Sequence, residues 1–221
     1  MLDAIEITTG EVPQLAVLWL HGLGADGHDF EPIVPELGLR LPVRFVFPHA
    51  PVRPVTINGG MQMRAWYDIL GFDRRAKEDA AGIRASAAAV AELVDREIER
   101  GMPPDRIVLA GFSQGGAVAL HTALRDPRPL AGVLALSTYL PLAATLASER
   151  SAANANIPLF MAHGTDDPVL PLSLADSSRR ALEALGYAVD WHEYPMGHSV
   201  CMEEVSAIGA WLAGLAAPRR Y

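Results

Sequence analysis

The sequence predicts an α/β fold with a mostly parallel sheet, because short apolar segments alternate with helical patterns along its 221 residues. Five of these segments are apolar on both faces, which is typical of parallel strands that helices cover on two sides. A sixth alternates more and is predicted as an edge strand. The six strand predictions are 15–20, 43–47, 106–110, 132–137, 157–162 and 188–194. Residues 1–221 are therefore expected to form a single domain of repeated β-α units.

Four helices are predicted between and after these strands. In the first, apolar residues recur at three- to four-residue spacing from Ile83 to Ile98, and the helix should end at Gly101. The second should carry Ala117, Leu120 and Leu124 on one face and end before Pro127, with the others at 173–185 and about 200–215. Residues 48–70 are the least regular stretch, either a functional loop or a small excursion from the sheet.

Composition and charge exclude several classes of protein. Half of the residues are hydrophobic and one fifth are charged, which is a globular balance. The formal net charge is -8, from 18 basic and 26 acidic residues, and no run of Lys or Arg could follow a phosphate backbone. Nucleic acid is therefore not an expected partner. The C-terminal PRRY, residues 218–221, is expected to be a solvated tail.

Cysteine and hydropathy patterns bound the expected compartment. Cys201 is the only cysteine, so the chain can form no intramolecular disulfide and has too few thiolates for a cysteine-based zinc site. A reducing, cytoplasmic location fits this usage. The apolar run at 15–20 is six residues long and no Lys or Arg precedes Arg40, which argues against a secretory signal or a membrane span.

The strongest chemical signal is RIVLAGFSQGG, residues 106–116. Its G-x-S-x-G pattern centres on Ser113 and lies between a predicted buried strand and a predicted helix, the context in which this motif presents a nucleophile. Residues two before and two after such a serine approach too closely to carry side chains, which explains Gly111 and Gly115. The helix N-terminus also provides free amides, and that of Gln114 could bind an oxyanion. The alternative is a plain turn that connects two elements.

A serine nucleophile needs a base, and the base needs an acid to orient it. In the chain order typical of this architecture, the acid and then the histidine follow the serine on loops after later strands. His198 in PMGHSV is the predicted base. Asp166 and Asp167 in HGTDDPVLP are the candidate acids, and spacing hardly separates them, although Pro168 restricts Asp167 to extended conformations.

The stretch HGLGADG, residues 21–27, has two interpretations. The spacing of Gly22, Gly24 and Gly27 is that of a dinucleotide-binding fingerprint, which would make the protein an oxidoreductase. Such a fingerprint should open a helix and be followed about 20 residues later by an acid at the end of the next strand. Prolines interrupt the stretch that follows, and the next predicted strand ends in Phe-Pro-His, so this interpretation is disfavoured.

Four motifs occur in a fixed order along the chain: HGLGADG, AGFSQGGAVAL, HGTDDPVLP and MGHSV. With this set the sequence resembles the bacterial carboxylesterase and acyl-protein thioesterase family of α/β hydrolases, also called the phospholipase/carboxylesterase family. The resemblance covers about residues 12–215. The resemblance implies an α/β-hydrolase fold with no large lid domain. It implies Ser113 as nucleophile, Asp167 as acid and His198 as base, with the oxyanion bound by the backbone amides of Leu23 and Gln114. It also implies that residues 66–68 lie at the wall of the acyl site.

The expected activity is hydrolysis of short- to medium-chain carboxylic esters through an acyl-enzyme, with thioesterase or lysophospholipase activity in the same site as alternatives. No metal or organic cofactor is expected. A catalytically inactive relative that only binds ligands is a third hypothesis, against which the intact Ser113, Asp167 and His198 count. A homodimer is a candidate assembly, with residues 48–70 as its interface. Apolar residues near the catalytic loops are predicted to line the acyl pocket: Leu23, Trp66, Phe112, Val169 and Leu170. Two methionines of the irregular stretch, Met61 and Met63, are predicted to form an adaptable entrance.

Overall fold

The computed structural model describes residues 2–71 and 78–217, so the C-terminal PRRY lies outside the described residues. Seven strands form one sheet in the order β1-β3-β2-β6-β7-β8-β9, and two further strands form a separate antiparallel hairpin. Only β1 runs antiparallel in the large sheet, against β3. The strands are β1 Ala4–Thr8, β2 Leu15–Leu20, β3 Val43–Pro48, β4 Val52–Val55, β5 Met61–Arg64, β6 Ile107–Phe112, β7 Gly132–Leu136, β8 Leu159–Gly164 and β9 Val189–Tyr194.

The six predicted strands are all present, with bounds within two residues of those expected, and β9 is an edge strand as predicted. Two features were not predicted. Strand β1 is only partly buried, so its five residues carry no continuous apolar signal. The irregular stretch contains the β4-β5 hairpin, whose turn places Gly59 at φ 65° and Gly60 at φ 78°, a conformation that glycine adopts most readily.

Five α-helices are described: α1 Ala80–Glu99, α2 Gln114–Ala123, α3 Ala143–Glu149, α4 Leu172–Ala184 and α5 Met202–Ala216. The predicted stops of α1 and α4 are confirmed, since Gly101 and Gly186 adopt φ of 90° and 91° just beyond the helix ends. Helix α2 ends before Pro127 as predicted, and Ala117, Leu120 and Leu124 are buried, but so is its opposite face. All ten of its residues are buried, because its small side chains let it pack on β6, β7 and α1 at once. Helix α3 was not predicted.

Hydrophobic clusters cover both faces of the sheet. Alternate residues of β2 enter different clusters: Leu18 belongs to the cluster that contains Val90 of α1, whereas Trp19 belongs to the one that contains Ile208 of α5. Helices α1 and α2 thus cover one face and α5 the other, as the two-sided apolar strands predict. Among residues 2–71 and 78–217, no helix is both long and apolar enough to cross a membrane.

Candidate active site

The serine of the G-x-S-x-G motif occupies a strained turn between β6 and α2. Ser113 has φ 53° and ψ −121°, a region that non-glycine residues enter only when their surroundings hold them there. Its backbone N–H donates to Leu136 O at 2.8 Å, and its carbonyl accepts from Thr138 Oγ1 at 2.6 Å. Within the described chain the Ser113 hydroxyl makes no capping bond to α2.

The glycines on either side of Ser113 are required by backbone contacts. A Cβ on Gly111 would lie 2.4 Å from the carbonyl carbon of Gly115, so the steric prediction for this pair is confirmed. A Cβ on Gly115 would lie 2.3 Å from Leu20 O and 2.6 Å from His21 O. The start of α2 therefore packs directly on the end of β2, from which the HGLGADG loop departs.

Asp167 and His198, on loops after β8 and β9, form a hydrogen-bonded pair. The distance from His198 Nδ1 to Asp167 Oδ2 is 2.7 Å, and the Asp167 side chain is fully buried. The other carboxylate oxygen, Oδ1, accepts from the backbone amides of Val169 at 2.8 Å and Leu170 at 2.9 Å. Asp166 is exposed and receives a bond from Thr165. The geometry thus separates the two aspartates that spacing left open, since only Asp167 faces the histidine.

His163 supports the same loop from the end of β8. It is fully buried, and its Nε2 lies 2.8 Å from Leu170 O and 3.4 Å from Asp167 Oδ2. A carbonyl oxygen can only accept, so Nε2 carries the proton and donates. Its burial and these contacts give His163 a packing and hydrogen-bonding role at the base of the loop.

The HGLGADG loop lies against the serine. A Cβ on Gly22 would lie 3.6 Å from Ser113 Cβ, and Gly24 adopts φ 78° while its amide donates to Arg64 O at 2.9 Å. His21 ties down the base of the loop. Its Nε2 accepts from the amide of Ala50 at 3.0 Å, so its Nδ1 carries the proton and donates to Gly22 O at 2.7 Å. Burial lowers the pKa of His21, which favours this neutral form.

The dinucleotide interpretation of this loop is not supported. No α-helix begins between β2 and β3, a stretch that the structure describes throughout. The presence of glycine at position 27 also has a structural reason, because a Cβ there would lie 2.4 Å from Phe47 O of β3.

The two predicted oxyanion donors lie on either side of the contact between the HGLGADG loop and the start of α2. Leu23 is half-buried between Gly22 and Gly24, and Gln114, the first residue of α2, has an amide without an acceptor inside the helix.

The predicted pocket residues differ in their placement. The Phe112 ring lies 4.7 Å from the His198 ring, Leu170 is buried and Val169 is 45% exposed. Trp66 is fully buried behind the HGLGADG loop, where its indole N–H donates to His21 O at 2.9 Å. Of the two predicted entrance methionines, the exposed residue is Met61, while Met63 Sδ lies 3.8 Å from the position of a Cβ on Gly24. No cluster of three or more His, Cys, Asp or Glu residues in the described ranges could hold a metal ion.

An open cleft of about 490 Å³ lies between α1 and the end of α2, and none of the predicted site residues lines it. His121 and Thr122 line it, but His121 Nδ1 and Thr122 Oγ1 are shielded from solvent and have no partner in the described chain. Burial, reinforced by the positive charge of Arg125, lowers the pKa of His121 to about 4. The cleft therefore does not expose these two polar atoms to a ligand.

Comparison with known proteins identifies the family of this chain. The family described as Phospholipase/Carboxylesterase matches residues 3–215. The chain belongs to the phospholipase/carboxylesterase family. The predicted family and its α/β-hydrolase fold are thereby confirmed, and the protein is a hydrolase.

Relatives within this family carry thioesterase names. The chain is 44% identical to acyl-protein thioesterase 1 of Neurospora crassa over 89% of its own length and 84% of the relative. It is 36% identical to acyl-protein thioesterase 1 of Cryptococcus neoformans, with 96% of each chain covered. Among solved structures, Arabidopsis thaliana SOBER1 superposes with a TM-score of 0.87 at 30% identity, over 92% of this chain and 99% of that one. Zea mays acyl-protein thioesterase 2 gives a TM-score of 0.86 at 30% identity, over 98% and 100%.

Sequence reasoning missed two side chains that hold the backbone around this site. The Gln114 side chain was not singled out, although it bonds to two backbone groups of residues 66 and 67. Thr138, whose hydroxyl donates to the Ser113 carbonyl, was also missed. Neither has a periodic or motif-based signal; a polar residue within an otherwise apolar, buried stretch is the only hint, since buried polar groups must find partners.

Proposed function

We propose that the protein is a serine acyl hydrolase in which Ser113 is the nucleophile, His198 the base and Asp167 the acid that orients it. The observation that carries this proposal is the 2.7 Å bond between His198 Nδ1 and the buried Asp167 carboxylate, at the edge of the sheet where the Ser113 turn emerges. Parallel strands present their carboxyl ends at one edge, which is where the loops after β6, β8 and β9 meet.

The hydrogen bond between His198 and Asp167 supports one direction of proton transfer. Because the Asp167 carboxylate accepts a hydrogen bond, His198 Nδ1 carries the proton in the resting state and Nε2 is free to act as a base. As Ser113 Oγ attacks the acyl carbonyl, Nε2 takes the hydroxyl proton. The two backbone bonds to Asp167 Oδ1 hold the carboxylate in place, so the imidazolium that forms meets a fixed negative charge.

The tetrahedral oxyanion is proposed to form against the amides of Leu23 and Gln114. Collapse breaks the bond to the leaving group, which departs with the proton from His198 and leaves the acyl group on Ser113. Water then attacks this acyl-enzyme and gives a proton to His198; the second tetrahedral intermediate collapses by breaking its bond to Ser113 Oγ, which takes the proton back from His198 as the carboxylic acid leaves. Removal of one oxyanion donor typically costs about 10²- to 10³-fold in kcat.

For the substrate, a thioester-linked acyl chain is the preferred candidate and a simple carboxylic ester the second. The support is the set of relatives named acyl-protein thioesterase 1, at 36–44% identity over most of both chains. The leaving group also favours a thioester substrate, because a thiol is more acidic than an alcohol and so leaves with less assistance from His198.

A panel of paired substrates tests both levels of the proposal. Thioesters and oxyesters with the same acyl chains would be compared by kcat/KM, which reports differential binding of the transition state. We expect the thioester to be favoured at the optimal chain length. A preference for the oxyester at every length would contradict the proposed substrate class. Ser113→Ala should abolish both activities, while Ser177→Ala, at an exposed position on α4, should retain them.

A further inference from the structure

The two proposed oxyanion donors, Leu23 and Gln114, lie on different loops, so their separation must be fixed by something between them. Residues 64–67, called the strap below, connect these loops. The strap begins at Arg64, the last residue of β5, and its residues Ala65, Trp66 and Tyr67 are buried, with Trp66 0% exposed. The strap is hydrogen-bonded on two sides, to Gln114 next to the serine and to the HGLGADG loop.

On the serine side the strap is held by the side-chain amide of Gln114. Its Oε1 accepts from the Trp66 backbone N–H at 2.8 Å, and its Nε2 donates to Tyr67 O at 2.7 Å. Gln114 is itself buried, so both of these strap groups would lack a partner if the amide were removed. The residue that contributes one oxyanion amide through its backbone thus holds the strap through its side chain.

On the other side the strap is held by the HGLGADG loop. The Trp66 indole N–H donates to His21 O at 2.9 Å, and the Gly24 amide donates to Arg64 O at 2.9 Å. These two bonds flank Leu23 in the sequence. Because His21 is tied in turn to Ala50 and Gly22, the loop has few ways to shift without breaking buried bonds.

We propose that the Gln114 side chain is a positioning group which, through the strap, fixes the distance between the Leu23 and Gln114 amides in the oxyanion hole. This inference rests on the proposed function. It also gives Trp66 a different role from the pocket wall that the sequence predicts, since the fully buried ring acts through its N–H on His21. Preorganised donors stabilise the oxyanion only at the correct spacing, and a displacement of about 1 Å can cost roughly 10²-fold in rate.

Two variants weaken the connection at different points. Gln114→Glu keeps the backbone amide and the acceptor for Trp66 N–H but loses the donor to Tyr67 O. Trp66→Phe removes the N–H to His21 together with the rest of the five-membered ring, and so also leaves a small cavity at this buried position. The matched control is Trp19→Phe, which makes the same change at a fully buried tryptophan whose Nε1 has no hydrogen-bond partner within the described residues.

The measurement is kcat per active site, with sites counted by a fluorophosphonate titration, together with KM and the affinity for a trifluoromethyl ketone. Ser113 Oγ adds to the carbonyl carbon of this ketone, and the carbonyl oxygen becomes an oxyanion that occupies the oxyanion hole. For both variants we expect kcat to fall about 10- to 100-fold with KM within about threefold, and ketone affinity to fall in parallel with kcat/KM. Trp19→Phe should stay within about twofold of the wild type in all three quantities.

Different outcomes would overturn the positioning role of Gln114 and the proposed serine hydrolase function. A wild-type protein that neither turns over esters nor reacts with the fluorophosphonate overturns both. An active wild type with variants that lose only thermal stability or the fraction of titratable sites, at unchanged kcat per site, overturns the positioning role alone. If Gln114→Glu does not fold, Trp66→Phe decides the question by the same criteria.

Discussion

Glu204 should make the stability of the protein decrease as the pH rises through neutrality. It lies in the first turn of α5, shortly after the loop that carries His198, and its side chain is fully buried. Neither carboxylate oxygen has a hydrogen-bond partner among the described residues. Burial raises the pKa of Glu204 to about 8, with only a weaker opposing effect from the Cys201 backbone. The perturbation that tests this is Glu204→Gln, which removes the titration and keeps the shape.

The sign follows from proton linkage. The native pKa of Glu204 is raised above its ordinary value of 4.5, so the folded protein retains a proton that the unfolded chain has released. The stabilisation by this proton is complete below pH 4.5 and is lost as the pH rises towards 8. Between pH 6.5 and 8 the free energy of unfolding should fall by about 1.5 kcal/mol from this group alone.

The assay is urea denaturation of the wild type and Glu204→Gln across pH 6.5 to 8.5, with Glu203→Gln as the control because Glu203 is exposed on the same turn. The free energy of unfolding of the wild type minus that of Glu204→Gln should fall by about 1.5 kcal/mol between pH 6.5 and 8, because only the wild type loses stability through this titration. Glu203→Gln should follow the wild-type profile. A difference that stays constant across this range refutes the reasoning, because it would mean that Glu204 titrates alike in both states.

Further substitutions test the site. Asp167→Asn should lower kcat by about 10³- to 10⁴-fold, whereas Asp166→Asn should leave it within about twofold; similar losses in both, measured by ester turnover, would contradict the assignment of the acid. Gly24→Val places a β-branched residue at φ 78°, next to the proposed Leu23 donor, and should depress kcat more than it raises KM. Unchanged turnover would overturn Leu23 as a donor. Gly115→Ala puts a Cβ 2.3 Å from Leu20 O and should lower the Tm, which calorimetry would detect.

The features that the sequence predicted well have local signals. Strand β2 coincides with the apolar run at 15–20, and Gly186 ends α4 because glycine is the residue that most readily adopts φ of 91°. The Ser113 turn is predicted by glycines two residues away on either side, whose steric need is a property of the turn itself. Such signals act within a few residues and can therefore be recognised without the fold.

The features that sequence reasoning missed depend on contacts between distant residues. Gln114 binds residues 48 positions away in the sequence, and no local pattern distinguishes it from an exposed glutamine. Asp166 and Asp167 are adjacent, and only the path of the loop decides which of them faces His198. Glu204 has the sequence context of an acid at a helix start, a position that is usually solvated, yet the first turn of α5 turns the face that carries Glu204 and Val205 into the core.

The central claim is that Ser113 is the nucleophile activated by His198 and Asp167. Incubation with a fluorophosphonate, followed by proteolysis and mass spectrometry, tests it most directly because the reagent bonds covalently to an activated serine. We predict one modified site, on the peptide that contains Ser113, and no modification of Ser113→Ala or, over the same time, of His198→Ala. Modification of a different residue, or an unmodified Ser113 in the folded wild type, would contradict the account.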